Sequence, residues 1–300
     1  MKKLQITYIG TPDFSACFLE KILTDKSLPA TVSTVITQPD KPAGRKQILT
    51  PTPVKEKAVL YKIKTTTQLS ELTHCDLVVL FAYGERIPKK LLTVPQYGFW
   101  NIHPSLLPLY RGASPISFPL IFGDSLTGVT LMQMDEELDH GDIIAQEKIE
   151  IQPTDTRTSL ENKLTDLGYE LFKKSLFELV EKKKVTLTPQ IHEDATYTKP
   201  LKKRDGYIPF LKLQKALHNE LLTKIDFPAF DANRLSLFNL FRGLSPWPGI
   251  WTKISINGGE KRLKIIELDI TQNKLIIKKV QLEGKKEVTF KQFQEAYGTW

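Results

Sequence analysis

The chain has 300 residues, of which 41% are hydrophobic and 25% are charged, a length that fits one large domain or two of ordinary size. No apolar run approaches the roughly 18 residues that span a bilayer, so we expect no membrane association and a cytoplasmic location. Two cysteines are too few for a disulfide framework.

The net charge of +8 is unevenly distributed along the chain. Residues 1–198 hold 23 Lys and Arg against 24 Asp and Glu, whereas residues 199–300 hold 19 against 10. Clustered Lys and Arg gain affinity for nucleic acids by releasing counterions from the phosphates. A lysine-rich solvated surface gives the same composition, so charge alone leaves both interpretations open.

Strand and helix signals alternate through the first half of the chain. An apolar segment at 4–10 and a turn precede apolar residues with helical spacing at 14–22 and a second strand at 30–37. The run Leu77–Tyr83 is apolar throughout, as in a central parallel strand covered on both faces. Further predicted elements are a short helix near 89–94, a strand ending near 102, a helix at 116–122, strands at 128–134 and 143–151, and a helix with apolar residues between 160 and 171.

This alternation predicts an α/β fold with a Rossmann-like, mainly parallel sheet. A dinucleotide-binding version of that fold is disfavoured. The first strand-to-helix turn has a single glycine, Gly10, where a dinucleotide fingerprint has G-x-G-x-x-G, and no acidic residue follows the second strand.

The pattern changes towards the C-terminus. Residues 186–205 lack strong periodicity and are predicted to form a basic linker. Residues 206–300 combine an amphipathic helix at 210–222 with several short strands between Asn, Gly and charged turns, which predicts a small β-barrel of the oligonucleotide-binding (OB) type. The sequence therefore predicts a first domain at 1–185, a linker at 186–205 and a second domain at 206–300. The predicted strands of the last part lie at 251–256, 263–270, 275–282 and 287–290.

Asn101 and His103 stand at the end of an apolar strand, one residue apart, so both side chains point to the same side of the sheet. Ligands of α/β proteins sit at this end of the strands, and an amide with an imidazole can donate to an oxygen that gains negative charge. A carboxylate would orient His103 or relay protons, and we select Asp139 for this role. By itself, N-x-H is more often structural. Nearby acidic alternatives are Asp135, Glu136, Glu137 and Asp142.

The sequence N-I-H-P-S-L-L-P at 101–108, followed by Y-R-G, T-G-V-T and L-D-H-G, resembles the signature of the folate-dependent formyltransferases. The resemblance implies that residues 1–185 form a catalytic domain in which Asn101 and His103 hold the formyl oxygen. It implies that Asp139 assists proton transfer from the attacking amine. It also implies 10-formyltetrahydrofolate as the co-substrate and no metal.

The same resemblance implies where the folate binds. The four residues Ser105, Leu106, Leu107 and Pro108 match the loop that binds tetrahydrofolate, and the segment 84–88, with Arg86 and Ile87, is similar to the one that lines the pterin pocket. A strand-end turn followed by a helix start explains both segments as well. That explanation is favoured over direct ligand contact by the side chains.

Family members with this core act on glycinamide ribonucleotide, on amino sugars linked to nucleotides, or on Met-tRNA. The first class is a shorter single domain, so the basic second domain disfavours it. The loop at 37–46 resembles the insertion with which members that act on Met-tRNA engage the acceptor stem. The resemblance and the local charge give the following candidates for tRNA contact: Lys41, Arg45, Lys46, Lys199, Lys202, Lys203 and Arg204.

The resemblance therefore predicts a monomeric cytoplasmic enzyme that formylates initiator methionyl-tRNA for translation initiation. The alternatives are a sugar-nucleotide N-formyltransferase with the same folate donor, and an inactive RNA-binding protein that retains the scaffold. The segment 241–249 resembles the C-terminal domain of the tRNA and the sugar enzymes alike, so it does not separate them. We expect Trp247 within it to lie in the core.

Overall fold

The structure is a computed structural model that describes residues 3–44, 46–72, 75–217, 236–256, 258–271 and 274–298. The chain forms two compact units. The first comprises Met1–Pro115, Thr127–Glu150 and Glu161–Thr198, and the second comprises Ile116–Leu126, Ile151–Leu160 and Lys199–Trp300. The last of three passages from the first unit to the second lies at 198–199, inside the predicted linker. The predicted domain limits stay a prediction.

The described residues form the following elements. The helices are α1 (Asp13–Thr24), α2 (Pro53–Leu60), α3 (Ser117–Phe122), α4 (Arg157–Lys182), α5 (Phe210–Leu217), α6 (Leu237–Leu244) and α7 (Phe290–Tyr297). The strands are β1 (Leu4–Gly10), β2 (Ala30–Ile36), β3 (Lys41–Ala43), β4 (Ile48–Thr50), β5 (Lys64–Thr66), β6 (Leu77–Phe81), β7 (Phe99–His103), β8 (Arg111–Gly112), β9 (Leu126–Gln133), β10 (Ile143–Glu150), β11 (Tyr197–Thr198), β12 (Ile250–Ile256), β13 (Gly259–Thr271), β14 (Lys274–Leu282) and β15 (Glu287–Thr289). Within these ranges, no helix combines the length and the apolarity that crossing a membrane requires.

A seven-stranded sheet is the centre of the first unit, with the strand order β10-β9-β7-β6-β1-β2-β5. The pairs β1–β2, β1–β6, β2–β5 and β6–β7 are parallel, and β7–β9 is antiparallel. Strands β6 and β7 are buried over their whole length, as expected for central strands covered on both faces. The predicted α/β fold with a mainly parallel sheet is confirmed.

Helices α1 and α4 pack on the sheet through aromatic side chains. The ring of Phe18 in α1 lies 5.3 Å from that of Phe81 in β6 and 5.8 Å from that of Phe172 in α4. At Gly168, α4 comes so close to the sheet that an added Cβ would lie 3.0 Å from Ile102. Because neighbouring side chains of a strand alternate, this contact supports β7 on the face opposite Asn101 and His103.

The second unit contains an antiparallel sheet in the order β12-β13-β14-β15, which confirms the predicted small β domain. Helix α7 was not predicted; Thr289 caps its N-terminus, because the Thr289 hydroxyl accepts a hydrogen bond from the main-chain N–H of Gln292 at 3.2 Å. The predicted helix at 210–222 is present as α5, and its part from residue 218 onwards lies outside the described residues.

The predicted helix at 116–122 is present as α3, which packs on α6 within the second unit so closely that a Cβ at Gly243 would lie 2.5 Å from Ile121. Trp247 was expected in the core but is 53% exposed. Trp247 lies in the turn at residues 245–248, so its apolar character alone did not decide its burial.

Candidate active site

Strand β7 carries Asn101 and His103 to the carboxyl end of the parallel strands, where both side chains are buried. The Nδ2 atom of Asn101 lies 3.4 Å from Oδ1 of Asp139. The Nδ1 atom of His103 lies 3.5 Å from the same oxygen. The structure thus brings together the three residues that the sequence predicts to be catalytic.

The carboxylate of Asp139 is fixed from its other side. Its Oδ2 atom accepts a 2.7 Å hydrogen bond from the main-chain N–H of Gly112. A Cβ at Gly112 would lie 2.5 Å from the carbonyl oxygen of Thr198, and the residue has a φ of 106°, so this position requires glycine. With Oδ2 held there, Oδ1 faces Asn101 and His103.

The second ring nitrogen of His103 has its own partner. Nε2 lies 3.1 Å from the carbonyl oxygen of Tyr110. A carbonyl oxygen only accepts, so Nε2 carries a hydrogen, and Nδ1 is the atom directed at Asp139. The ring is therefore fixed at Nε2 by the segment that follows β7, while Nδ1 faces Asp139 in the loop between β9 and β10.

The neighbouring acidic residues have other contacts. Oδ2 of Asp135 lies 2.6 Å from Nδ1 of His140. Glu136 forms a 2.7 Å ion pair with Lys89. Glu137 lies 3.9 Å from the other nitrogen of His140. These contacts favour Asp139 over Asp135, Glu136 and Glu137 as the carboxylate beside Asn101 and His103.

The loop that follows β7 is built around the hydroxyl of Thr130. This hydroxyl donates to the carbonyl of Ser105 at 2.7 Å and accepts from the N–H of Leu107 at 3.0 Å. The amide of Gln146 adds hydrogen bonds to Leu107 O at 2.6 Å and to the Thr130 hydroxyl at 2.8 Å. The side chain of Ser105 is fully buried and that of Leu107 almost so. These two side chains therefore support the loop from within.

The two predicted residues of the segment after β6, Arg86 and Ile87, have different environments. Ile87 is buried in an apolar cluster that includes Tyr83, and burial raises the pKa of Tyr83 to about 12. Arg86 is exposed, and its guanidinium donates to the carbonyl of Glu136 at 2.7 Å. This bond ties the segment to the loop that precedes Asp139.

Two buried polar residues of this site were not recognised in the sequence. Arg111 is 2% exposed and Gln190 is 5% exposed, and Nη2 of Arg111 donates to Oε1 of Gln190 at 2.6 Å. The same Nη2 lies 2.9 Å from Nδ1 of His192, whose ring stacks on that of His140 at 3.9 Å. The sequence offers no periodic signal that would join positions 111 and 190.

The stacked rings of His140 and His192 belong to this network, since His192 also contacts Arg111. In the described ranges, no group of three or more His, Cys, Asp or Glu side chains is arranged to hold a metal ion.

The candidate tRNA loop of the first unit forms a hairpin of β3 and β4. Lys41 and Lys46 are exposed on it, whereas Arg45 lies outside the described residues. The hydroxyls of Thr37 and Thr52 meet at 2.7 Å at the base of the loop. The loop thus projects from a fixed base.

The basic candidates of the second unit, Lys199, Lys202, Lys203 and Arg204, are all exposed. Lys203 and Arg204 line a groove of about 450 Å³. The other residues that line it are Trp251, Lys253, Glu260, Lys261, Arg262 and Glu283. Five basic side chains against two acidic ones make this groove positively charged.

Comparison with known proteins identifies the family. The formyl transferase family model matches residues 2–176. A methionyl-tRNA formyltransferase of Caldicellulosiruptor saccharolyticus is 38% identical over 280 residues, covering 90% of this chain and 81% of that protein. One of Alkaliphilus oremlandii is 34% identical over 313 residues, covering 94% and 93%.

A solved structure shares the fold. An N-formyltransferase from Helicobacter canadensis, in complex with folinic acid and dTDP-3-aminofucose, has a TM-score of 0.60 at 20% identity, covering 89% of this chain and 88% of that one. With the family match extending over more than half of its length, the chain belongs to the formyl transferase family and is an enzyme that transfers formyl groups.

Proposed function

We propose that the enzyme transfers the formyl group of 10-formyltetrahydrofolate to the α-amino group of methionine on initiator Met-tRNA, giving formylmethionyl-tRNA for translation initiation. The convergence of Asn101 and His103 on one oxygen of Asp139 is the observation that carries the proposed chemistry. Two relatives named for this activity each match at least 90% of this chain, which supports the acceptor. We expect a monomer that acts in the cytoplasm.

Asn101 and His103 stabilise negative charge in this proposal. Their nitrogens lie 3.4 Å and 3.5 Å from a single point, Oδ1 of Asp139. Both distances exceed those of strong hydrogen bonds, so the two donors are only weakly engaged. Contacts of this length in a site without substrate tighten when the reacting atoms arrive. The Asn101 amide and the His103 ring then donate to the formyl oxygen as its charge grows.

Asp139 accepts a proton from the attacking amine, which is neutral when it reacts. The Gly112 N–H holds Oδ2, so Oδ1 is the oxygen that receives this proton. The amine nitrogen bonds to the formyl carbon, which gives a tetrahedral intermediate, and the bond from that carbon to the donor nitrogen then breaks. The proton taken from the amine is finally delivered to the donor nitrogen, so the reaction has no net proton change.

The residues present fit a folate co-substrate, which supplies a formyl group already attached to nitrogen. The loop with Ser105, Leu106, Leu107 and Pro108 follows β7 directly, and internal hydrogen bonds fix its main chain. We propose that this loop binds the folate through its backbone. In the same proposal, the segment with Arg86 and Ile87 lines the pterin pocket.

The β3–β4 hairpin is the proposed tRNA contact of the first unit. Lys41, Arg45 and Lys46 supply its positive charge, and Ile48 and Leu49 beside them are 62% and 65% exposed. Exposed apolar side chains next to cationic ones favour a macromolecular partner over a small acceptor.

In the second unit, we propose that the groove lined by Lys203 and Arg204 follows the tRNA backbone, with Lys199 and Lys202 on the chain that leads to it. Its excess of basic side chains is suited to phosphates. Trp251 also lines the groove, and its indole N–H donates to the carbonyl of Lys203 at 3.0 Å. This hydrogen bond fixes one wall of the groove.

Acceptor competition tests the proposal. The protein is mixed with 10-formyltetrahydrofolate and either initiator Met-tRNA or a dTDP-linked amino sugar, and the formylated product is identified by mass spectrometry. We expect formylmethionyl-tRNA from the first mixture. Formylation of the sugar alone would overturn the acceptor assignment, and unreacted material in both mixtures would overturn the proposal as a whole.

A further inference from the structure

The side-chain amide of Gln190 uses all four of its hydrogen-bonding positions. Its Nε2 donates to the carbonyl oxygens of Asp139 at 3.0 Å and Gly141 at 2.7 Å. Its Oε1 accepts from Nε of Arg111 at 3.2 Å and from Nη2 at 2.6 Å. An amide has two N–H groups and one oxygen with two lone pairs, so no capacity is left over.

The orientation of this amide follows from its partners. Carbonyl oxygens only accept and a guanidinium only donates, so the nitrogen faces the loop and the oxygen faces Arg111. Nη1 of Arg111 lies 3.4 Å from the Tyr197 hydroxyl, and Nη2 is shared with His192. The guanidinium of Arg111 that binds Gln190 is therefore itself fixed at several atoms.

The clamped loop has an unusual backbone conformation. Asp139 has a φ of 50°, in the left-handed region that side chains other than glycine rarely adopt. Gln190 bonds the carbonyls on both sides of residue 140, which holds this conformation in place. This conformation of an aspartate costs energy, and it persists only where neighbouring groups hold it in place.

A single two-residue strand acts on Asp139 from two directions. In β8, the N–H of Gly112 binds the Asp139 carboxylate, while the side chain of Arg111 orients Gln190. This strand pairs with β11, the segment that follows Gln190. The carboxylate and the backbone of Asp139 are thus fixed relative to the same short strand.

From this arrangement we infer that Gln190 is a positioning residue, oriented by Arg111, that sets the direction of the Asp139 carboxylate towards Asn101 and His103. The inference rests on the proposed role of Asp139 in formyl transfer. Gln190 contacts two main-chain carbonyls and Arg111, and it touches no reacting atom. A residue of the segment 186–205, which the sequence predicts to be a linker, thereby has a role in catalysis.

Gln190→Glu tests the inference with little change in shape. The glutamate keeps an acceptor for Arg111, but it sets an oxygen against the carbonyls of Asp139 and Gly141. A displacement of about 1 Å can cost roughly 100-fold in rate, so we expect kcat to fall about 10- to 100-fold. The KM values for folate and Met-tRNA should stay within about threefold, because the substrate contacts are unchanged.

A double-mutant cycle separates positioning from general destabilisation. In the Asp139→Asn background, Gln190→Glu should lower kcat by less than about threefold further, since residues that act through one another are not additive. Tyr169→Phe is the matched control: it removes a 2.6 Å hydrogen bond to Asp25 elsewhere in the first unit. Its kcat should equal that of the wild type at a comparable loss of thermal stability.

Equal effects of Gln190→Glu in both backgrounds, or a wild-type kcat, would overturn the inference while leaving formyl transfer itself established by the active wild type. If Gln190→Glu does not fold, Gln190→Asn enters the same cycle, because it keeps the amide and shortens its reach by one methylene. A wild type without activity on Met-tRNA would instead contradict the proposed function.

Discussion

Asp139 and Gly112 lie 27 positions apart in sequence and share a 2.7 Å hydrogen bond from the Gly112 N–H to Oδ2 of the carboxylate. This bond leaves Oδ1 as the oxygen that Asn101 and His103 face. A carboxylate held at one oxygen and directed with the other is suited to accept a proton at a defined place. The geometry therefore distinguishes the two oxygens of one side chain.

Asn101→Ala removes one of the two donors to the formyl oxygen. Loss of a single donor to a developing oxyanion costs roughly 100- to 1,000-fold in kcat, and we expect a loss of this size. The KM for folate should change little, since the donor acts mainly as charge develops. Steady-state kinetics with Met-tRNA measures both quantities, and a rise in KM at constant kcat would assign Asn101 to substrate binding instead.

Thr130→Val removes the hydroxyl that organises the proposed folate loop. The Leu107 N–H and the Ser105 carbonyl lose their shared partner, and an unsatisfied buried group costs about 1–3 kcal/mol. If about 1.4 kcal/mol of this cost falls on folate binding, the Kd of folate rises about tenfold. Titration calorimetry with a folate measures that change.

Thr252→Val is the matched control for this substitution. Thr252 is fully buried in β12, and its hydroxyl has no hydrogen-bond partner in the part of the chain that the structure describes. Valine should leave folate affinity unchanged there and stability equal or higher, since an unpaired buried hydroxyl is replaced by a methyl group. Equal folate affinity of the two variants would contradict the role given to Thr130.

Arg45→Ala tests the tRNA loop. We expect KM for Met-tRNA to rise about tenfold, and the slope of log affinity against log salt concentration to fall by about one, as for the loss of one phosphate contact. Lys26→Ala is the control, an exposed lysine in the turn before β2, which lies at the amino end of that strand, whereas the tRNA loop follows its carboxyl end. If both variants shift the salt slope equally, the loop makes no specific contribution.

The Asp25 carboxylate predicts a pH dependence of stability. Hydrogen bonds from Lys173, then Ser27 and Tyr169, hold the pKa of this carboxyl well below its usual range. A lowered folded-state pKa gives stability above the unfolded value of about 3.9, and this stability is lost as the pH falls further. Asp25→Asn should thus melt about 2–4 °C below the wild type at about pH 7. The difference should narrow below about pH 4 in calorimetric scans, and a constant difference would contradict this account.

The sequence predicted those parts of the fold and site that depend on local pattern. The spacing of Asn101 and His103 on an apolar strand was enough to predict that they share a face, because strand geometry alternates strictly. The apolar run Leu77–Tyr83 likewise predicted the central strand β6. Elements such as α7 and the β3–β4 hairpin were missed because they are short and carry little periodic signal.

The rest of the site depends on contacts between distant positions. Arg111 and Gln190 are 79 positions apart, and nothing near either residue in the sequence indicates the other. Asp139 was selected from a run of acidic residues as the carboxylate partner of His103, and its distinction from Asp135 and Glu136 lies in the tertiary contacts of each. Such pairs become visible only when the folded chain brings them together.

The single-turnover rate of Met-tRNA formylation tests the central claim most directly. It is measured with the enzyme in excess over Met-tRNA, at concentrations that bind all of the Met-tRNA, and with the folate saturating. Under these conditions binding is complete, so the rate reports the chemical step. We expect Asp139→Asn and His103→Ala each to lower this rate at least about 100-fold, while the affinity for Met-tRNA stays within about threefold of the wild type. A single-turnover rate near that of the wild type in either variant would contradict the proposed mechanism.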